Sequence, residues 1–126
     1  MEKQAIASSA ATPAIGPYSP ALAVGGFVFV SGQVPLDHEG KIAAILTADQ
    51  ARVALENMTA QLAEASLGMD AVVKTTIFLT DMDDFAAVNE VYASFFSPPY
   101  PARSTVEVAR LPKNVKVEIE AIAIRG

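Results

Sequence analysis

The sequence predicts an α+β fold, a β-sheet with two helices packed on one face. Three observations lead there. Apolar residues recur at helical spacing in two stretches, from Thr47 toward Gly68 and from Asp84 to about Phe96. Five segments rich in Val, Ile, Phe and Thr read as strands. Their order is strand-strand-helix-strand-helix-strand-strand, with room for one more strand at the N-terminus. At 126 residues the chain is one domain, long enough for a single core and too short for two.

Each element has a local reason. Gly16-Pro17-Tyr18-Ser19-Pro20 is a rigid turn, after which Ala21–Val24 and Phe27–Ser31 form a hairpin around Gly25-Gly26. Asp37-His38-Glu39-Gly40 is another turn. In the first helix Thr47 and Gln50 have capping-box spacing and Asp49 suits the first turn. Ala51, Leu55, Met58, Leu62 and Ala65 give it one apolar face, and Gly68 is placed to end it. Val72–Thr80 is apolar on both faces, as a central strand is. Asp81 or Asp83 caps the second helix, and Pro98-Pro99 stops it. Strands at about Ser104–Ala109 and Val115–Ile124 close the chain. With both helices on one face, the other sheet face is left to solvent or to another subunit.

Composition narrows the function. Hydrophobic residues make up 52% of the chain and the mean hydropathy is +0.33. No run of about 18 apolar residues occurs, so we expect no membrane span. The outlet for the surplus apolar surface is then a subunit interface, and we expect a homo-oligomer. A net charge of -5 gives no basic footprint for gripping phosphate backbones, which argues against nucleic acid as a partner. With no cysteine there is neither disulfide nor thiol nucleophile, which suits a reducing cytosol, and we expect a cytoplasmic protein. Met1-Glu2-Lys3-Gln4 lacks the basic start of a signal peptide, and Pro13 breaks the small apolar run Ala5–Ala14. That run reads as part of the mature domain.

No strong chemical motif stands out. His38 is the single histidine, sits in a turn, and has no second histidine to complete a metal site. Asp81, Asp83 and Asp84 are explained by helix capping. Lys74, in the central strand, could form a Schiff base, but a lysine reaching the surface is the simpler reading. No Gly-rich phosphate loop is present. What remains is scattered. Ser31 shares a strand face with Phe27 and Phe29, and Asn89 a helix face with Phe85, Tyr92 and Phe96. Arg103, Thr105 and Glu107 alternate onto one face, and Glu118 and Glu120 share another with Ile122 and Ile124. Arg103 with Glu118 fits an interstrand ion pair as well as a site. Read this way alone, the residues leave the function open.

Three stretches taken together, AIGPYSPA (Ala14–Ala21), FVFVSGQVPL (Phe27–Leu36) and PARSTVEVARLPKNVKVEIEAIAIRG (Pro101–Gly126), resemble the Rid family of YjgF-like reactive intermediate deaminases, most closely its RidA branch. VVKTTIFLTDMDDFAAVNEVYASFF (Val72–Phe96) also fits, so the resemblance covers essentially the whole chain. It implies a chorismate-mutase-like fold assembled as a homotrimer. Sheets would line the interior, helices would lie outside, and three ligand sites would sit in clefts between subunits. It also implies hydrolysis of 2-aminoacrylate and related enamines or imines, released from serine or threonine by pyridoxal phosphate-dependent dehydratases. The products are a 2-keto acid and ammonia, and no cofactor is used.

By position, Arg103 matches the arginine that binds the substrate carboxylate, and Tyr18, Ser31, Asn89 and Glu118 match the other cleft residues. Glu118 is the expected group to position water and accept its proton. Thr105 stands where many relatives carry cysteine, and the Ser97–Tyr100 link is shorter than in many of them. Both changes bear on substrate range. Two other functions compete with deamination: a non-catalytic binder of small carboxylates, and RNA cleavage or translation inhibition, against which the acidic balance weighs.

Overall fold

Six strands form one sheet in a computed structural model that describes all of residues 1–126. They are β1 (Gln4–Ile6), β2 (Ala21–Val24), β3 (Phe27–Gln33), β4 (Val72–Leu79), β5 (Ala102–Glu107) and β6 (Val117–Ile124), in the order β1-β2-β3-β6-β4-β5. All neighbours are antiparallel except β4 and β5, which run parallel. Helix α1 spans Thr47–Glu64 and α2 spans Phe85–Ala93, inside the crossover from β4 to β5. The additional N-terminal strand is present as β1.

Alternation along the strands decides what is buried. Val28 and Val30, Ile77 and Leu79, and Val117, Ile119, Ala121 and Ala123 all join the core under the helices. From α1 they meet Ala51, Ala54, Leu55, Met58 and Leu62, and from α2 Val88, Val91 and Tyr92. On the opposite face Phe27, Phe29, Val106 and Ile124 are exposed, so the face expected to be uncovered is uncovered in the single chain. No helix is long and apolar enough to cross a membrane.

Several helix ends differ from the sequence reading. The residue capping α1 is Leu46, without a side-chain cap, so Thr47 is already helical. Thr47 and Gln50 form no capping box because both are drawn into tertiary bonds. Thr47 Oγ1 donates to Asp84 Oδ2 at 2.8 Å, while Gln50 Nε2 donates to the Ala44 carbonyl and its Oε1 accepts from Lys116 N. Gly68 does not end α1. Ser66 takes the left-handed conformation (φ 62°), with Ser66 N donating to the Ala63 carbonyl and Leu67 N to that of Leu62. Asp81 does cap, but it caps the short 3-10 turn Met82–Asp84, accepting from Asp83 N. Because α2 ends at Ala93, Phe96 lies beyond it, though still in the core. The last strands run from Ala102 and Val117 rather than from Ser104 and Val115.

Candidate active site

Strand β5 is an edge strand, and Arg103 projects from it toward the helices, beside Thr75 of β4 in the parallel ladder. Its guanidinium carbon lies 4.8 Å from the Tyr92 ring centroid and 5.6 Å from that of Phe85. Both distances are within cation–π range. Tyr92 is buried against Phe96, with ring centroids 4.5 Å apart, and its hydroxyl is 2.7 Å from Thr75 Oγ1. Burial raises the Tyr92 hydroxyl above its ordinary pKa, opposed by the Thr75 hydrogen bond and the Arg103 charge. Asn89, Tyr92, Ala93, Tyr100, Pro101 and Arg103 line a cleft of about 270 Å³. Thr105, two residues on, has a buried Oγ1 with no hydrogen-bond partner.

The second group lies on the open sheet face. Glu118 of β6 projects between β3 and β4, opposite Phe78. A β-bulge after Val30 leaves Ser31 and Gly32 outside the regular β3–β6 register. Gly32 then packs against the Glu118 carboxylate so closely that a Cβ there would overlap it. Ser31 Oγ donates to the Ser19 carbonyl at 2.7 Å, and Tyr18 in the 16–20 turn is exposed beside it. Tyr18, Ser31, Gly32, Glu118 and Glu120 share a cleft of about 350 Å³. Partial burial, and then the charge of Glu120, push the Glu118 carboxyl above its ordinary 4.5.

Within one chain, then, the anticipated residues form two groups on opposite faces of the sheet. Arg103, Asn89 and Thr105 are on the helix side, and Tyr18, Ser31 and Glu118 on the open side. An Arg103–Glu118 ion pair within the chain is excluded, since β4 separates the two strands and the side chains face apart. His38 is exposed in its turn, and no group of three or more His, Asp or Glu side chains could hold a metal ion. Lys74 reaches only Thr76 Oγ1, at 3.4 Å.

The sequence reading missed what Gly32, Tyr92 and Glu120 do. An isolated glycine inside strand β3 was a signal for close approach. Pairing a residue of α2 with the guanidinium of β5 has no local signal.

The sequence and fold have known relatives. Residues 8–125 match the family model described as Endoribonuclease L-PSP. A 2-iminobutanoate/2-iminopropanoate deaminase of Salmonella typhimurium is 49% identical over 123 residues, covering 95% of this chain and 96% of that protein. The crystal structure of Escherichia coli TdcF with bound serine superposes with a TM-score of 0.91 at 48% identity, covering 98% of this chain and 99% of that one. YyfA of Yersinia pestis, described as a Rid family protein, superposes with a TM-score of 0.94 at 42% identity, covering 98% and 99%. With a family model spanning nearly all of it and full-length relatives of close to half identity, the chain belongs to the YjgF-like Rid family of reactive intermediate deaminases.

Proposed function

We propose that this protein hydrolyses 2-aminoacrylate and related 2-imino acids to 2-keto acids and ammonia, without a cofactor, at sites shared between the subunits of a homotrimer. The observation carrying this reading is Arg103, whose guanidinium is backed by two aromatic rings at the mouth of an open cleft. The functional name of the Salmonella relative supports the reaction, and serine bound to TdcF supports a site for small amino acid-like carboxylates. The open sheet face and the division of the site into two halves support assembly.

In the joined site Arg103 holds the substrate carboxylate through its planar fork, and Asn89 borders the same cleft. Thr105 shapes the inner wall behind them. An enamine first takes a proton at its methylene carbon and gives one up from nitrogen to become the imine. Glu118 of the neighbouring subunit holds a water near the imine carbon and accepts its proton as the oxygen–carbon bond forms. That proton passes to nitrogen, with Ser31 and Tyr18 hydroxyls available to relay it. The carbon–nitrogen bond then breaks as the added hydroxyl gives up its remaining proton, which passes through the same relay to the departing nitrogen, releasing ammonia and leaving the keto group. No electrons are exchanged. Positioning and proton transfer account for the acceleration, because a free imine already hydrolyses in water.

The matching family description names an endoribonuclease. The net charge of -5 and pI of about 4.7 favour a small anionic substrate held by one arginine over an RNA backbone. The test is imine loss measured while a serine or threonine dehydratase supplies the substrate. Arg103→Ala is expected to lower kcat/KM by roughly 10- to 100-fold, the range of a hydrogen bond to a charged group. Full activity in that variant, or no acceleration by the wild type, would overturn the assignment.

A further inference from the structure

We propose that Tyr92, fixed by Thr75, is a positioning residue that holds the Arg103 guanidinium ready for a carboxylate without neutralising it. The inference deepens the functional reading above and rests on Arg103 being a carboxylate receptor.

Arginine offers two distinct surfaces. Its five N–H donors point outward in the plane, and its faces are free to stack. A carboxylate partner within the chain would orient the side chain but would occupy those donors and cancel the charge. An aromatic ring uses only a face. Tyr92 does this at 4.8 Å, leaving the donors for two carboxylate oxygens.

The two rings beside Arg103 are not equivalent. Phe85 is exposed, whereas Tyr92 is 5% exposed and packed on Phe96. Tyr92 is therefore the fixed wall. Its hydroxyl meets Thr75 Oγ1, itself fully buried, at 2.7 Å. Thr75 is also the ladder neighbour of Arg103 across the β4–β5 pair. One hydrogen bond thus ties the ring on α2 to the strand pair that carries the arginine. Ordering a long flexible side chain at the moment of binding weakens affinity. Here the ordering is done during folding.

The test is a double-mutant cycle on imine hydrolysis and on 2-ketobutanoate binding by calorimetry, with thermal unfolding as the fold control. Tyr92→Leu is expected to raise KM and the 2-ketobutanoate Kd by roughly 3- to 30-fold, the worth of a cation–π contact, with kcat much less affected. Tyr92→Phe, which keeps the ring, should recover most of that loss. In an Arg103→Ala background Tyr92→Leu should cost nothing further. A loss of equal size in that background marks a structural role and overturns the proposal, as does an unchanged KM.

If the leucine variant does not fold, Thr75→Val runs the same cycle. It should raise KM a few-fold only where Arg103 is present, and no change overturns the proposal. Wild type that binds 2-ketobutanoate through Arg103 but hydrolyses no imine would sink the deaminase reading while the binding cycle still decides this one. Wild type that binds no 2-keto acid would sink both.

Discussion

Gly32 is the residue on which the Glu118 carboxylate depends for its place. A methyl group at Gly32 would occupy the volume of Glu118 Oε2, so Gly32→Ala must push the carboxylate aside. We expect kcat/KM for imine hydrolysis to fall by roughly 100-fold, since small misplacements of reacting groups cost about that much. Glu118 itself predicts a pH dependence. Its folded pKa lies above 4.5, so the proton-accepting form is lost as pH falls through that raised value. The acid limb of kcat/KM should therefore lie above pH 4.5, and Glu120→Gln should move it toward lower pH by removing the lesser of the two causes.

The stability consequence has the opposite sense. A carboxyl whose folded pKa is raised destabilises the native state once pH rises past the unfolded value, and most fully above the folded one. Glu118→Gln should accordingly unfold at a higher temperature than wild type near pH 8, with the difference vanishing in acid. At this scale the sequence was informative where alternation decides the face, as it does for Arg103, Thr105 and Glu107 on β5. It placed Tyr92 on the helix face of Asn89 and Phe85 but was silent on its contact with Arg103, because that partner lies on a strand reached only after the chain has folded.

Among the elements, strands were easier to foresee than helix ends. The alternation in FVFVSGQ and VEIEAIAI follows from burial of one sheet face, and burial is what the strands show. The Thr47 and Gln50 pattern looked local but serves distant partners, Asp84 and Lys116, and a capping motif cannot distinguish the two uses. Gly68 failed as a terminator for a related reason: Ser66 tolerates the left-handed turn two residues earlier, and the helix ends there. The bare N-terminus of α1 gives a direct test. Leu46 is exposed, extended (φ -74°, ψ 142°), and makes no side-chain cap. Leu46→Asp should stabilise the chain by roughly 0.5–2 kcal/mol, read as a higher urea midpoint with unchanged slope.

At the scale of the whole molecule, the proposed trimer makes the strongest demand. Arg103 and Glu118 face away from each other in one chain, so the proposed site takes one half from each of two neighbours. Arg103→Ala and Glu118→Gln, each strongly impaired alone, should regain activity when unfolded together and reassembled. Equal mixing should give roughly a quarter of the wild-type rate, because each half is intact half of the time. No recovery in mixed trimers would place both halves in one subunit. Two helices on one face anticipated the uncovered sheet face, whereas which strand edge meets it is a docking question that periodicity does not address.

Division of the site across the sheet also sets how the rate answers to dilution. On the proposed reading a lone subunit has its carboxylate receptor on one side and its proton acceptor on the other, with no way to present both to one substrate. Turnover per chain should hence be constant while trimers persist and should collapse below the concentration at which they dissociate. If the proposed trimer is the active form, a freshly made chain would be inert until it found two others, and the onset of activity would track abundance as a threshold rather than in proportion.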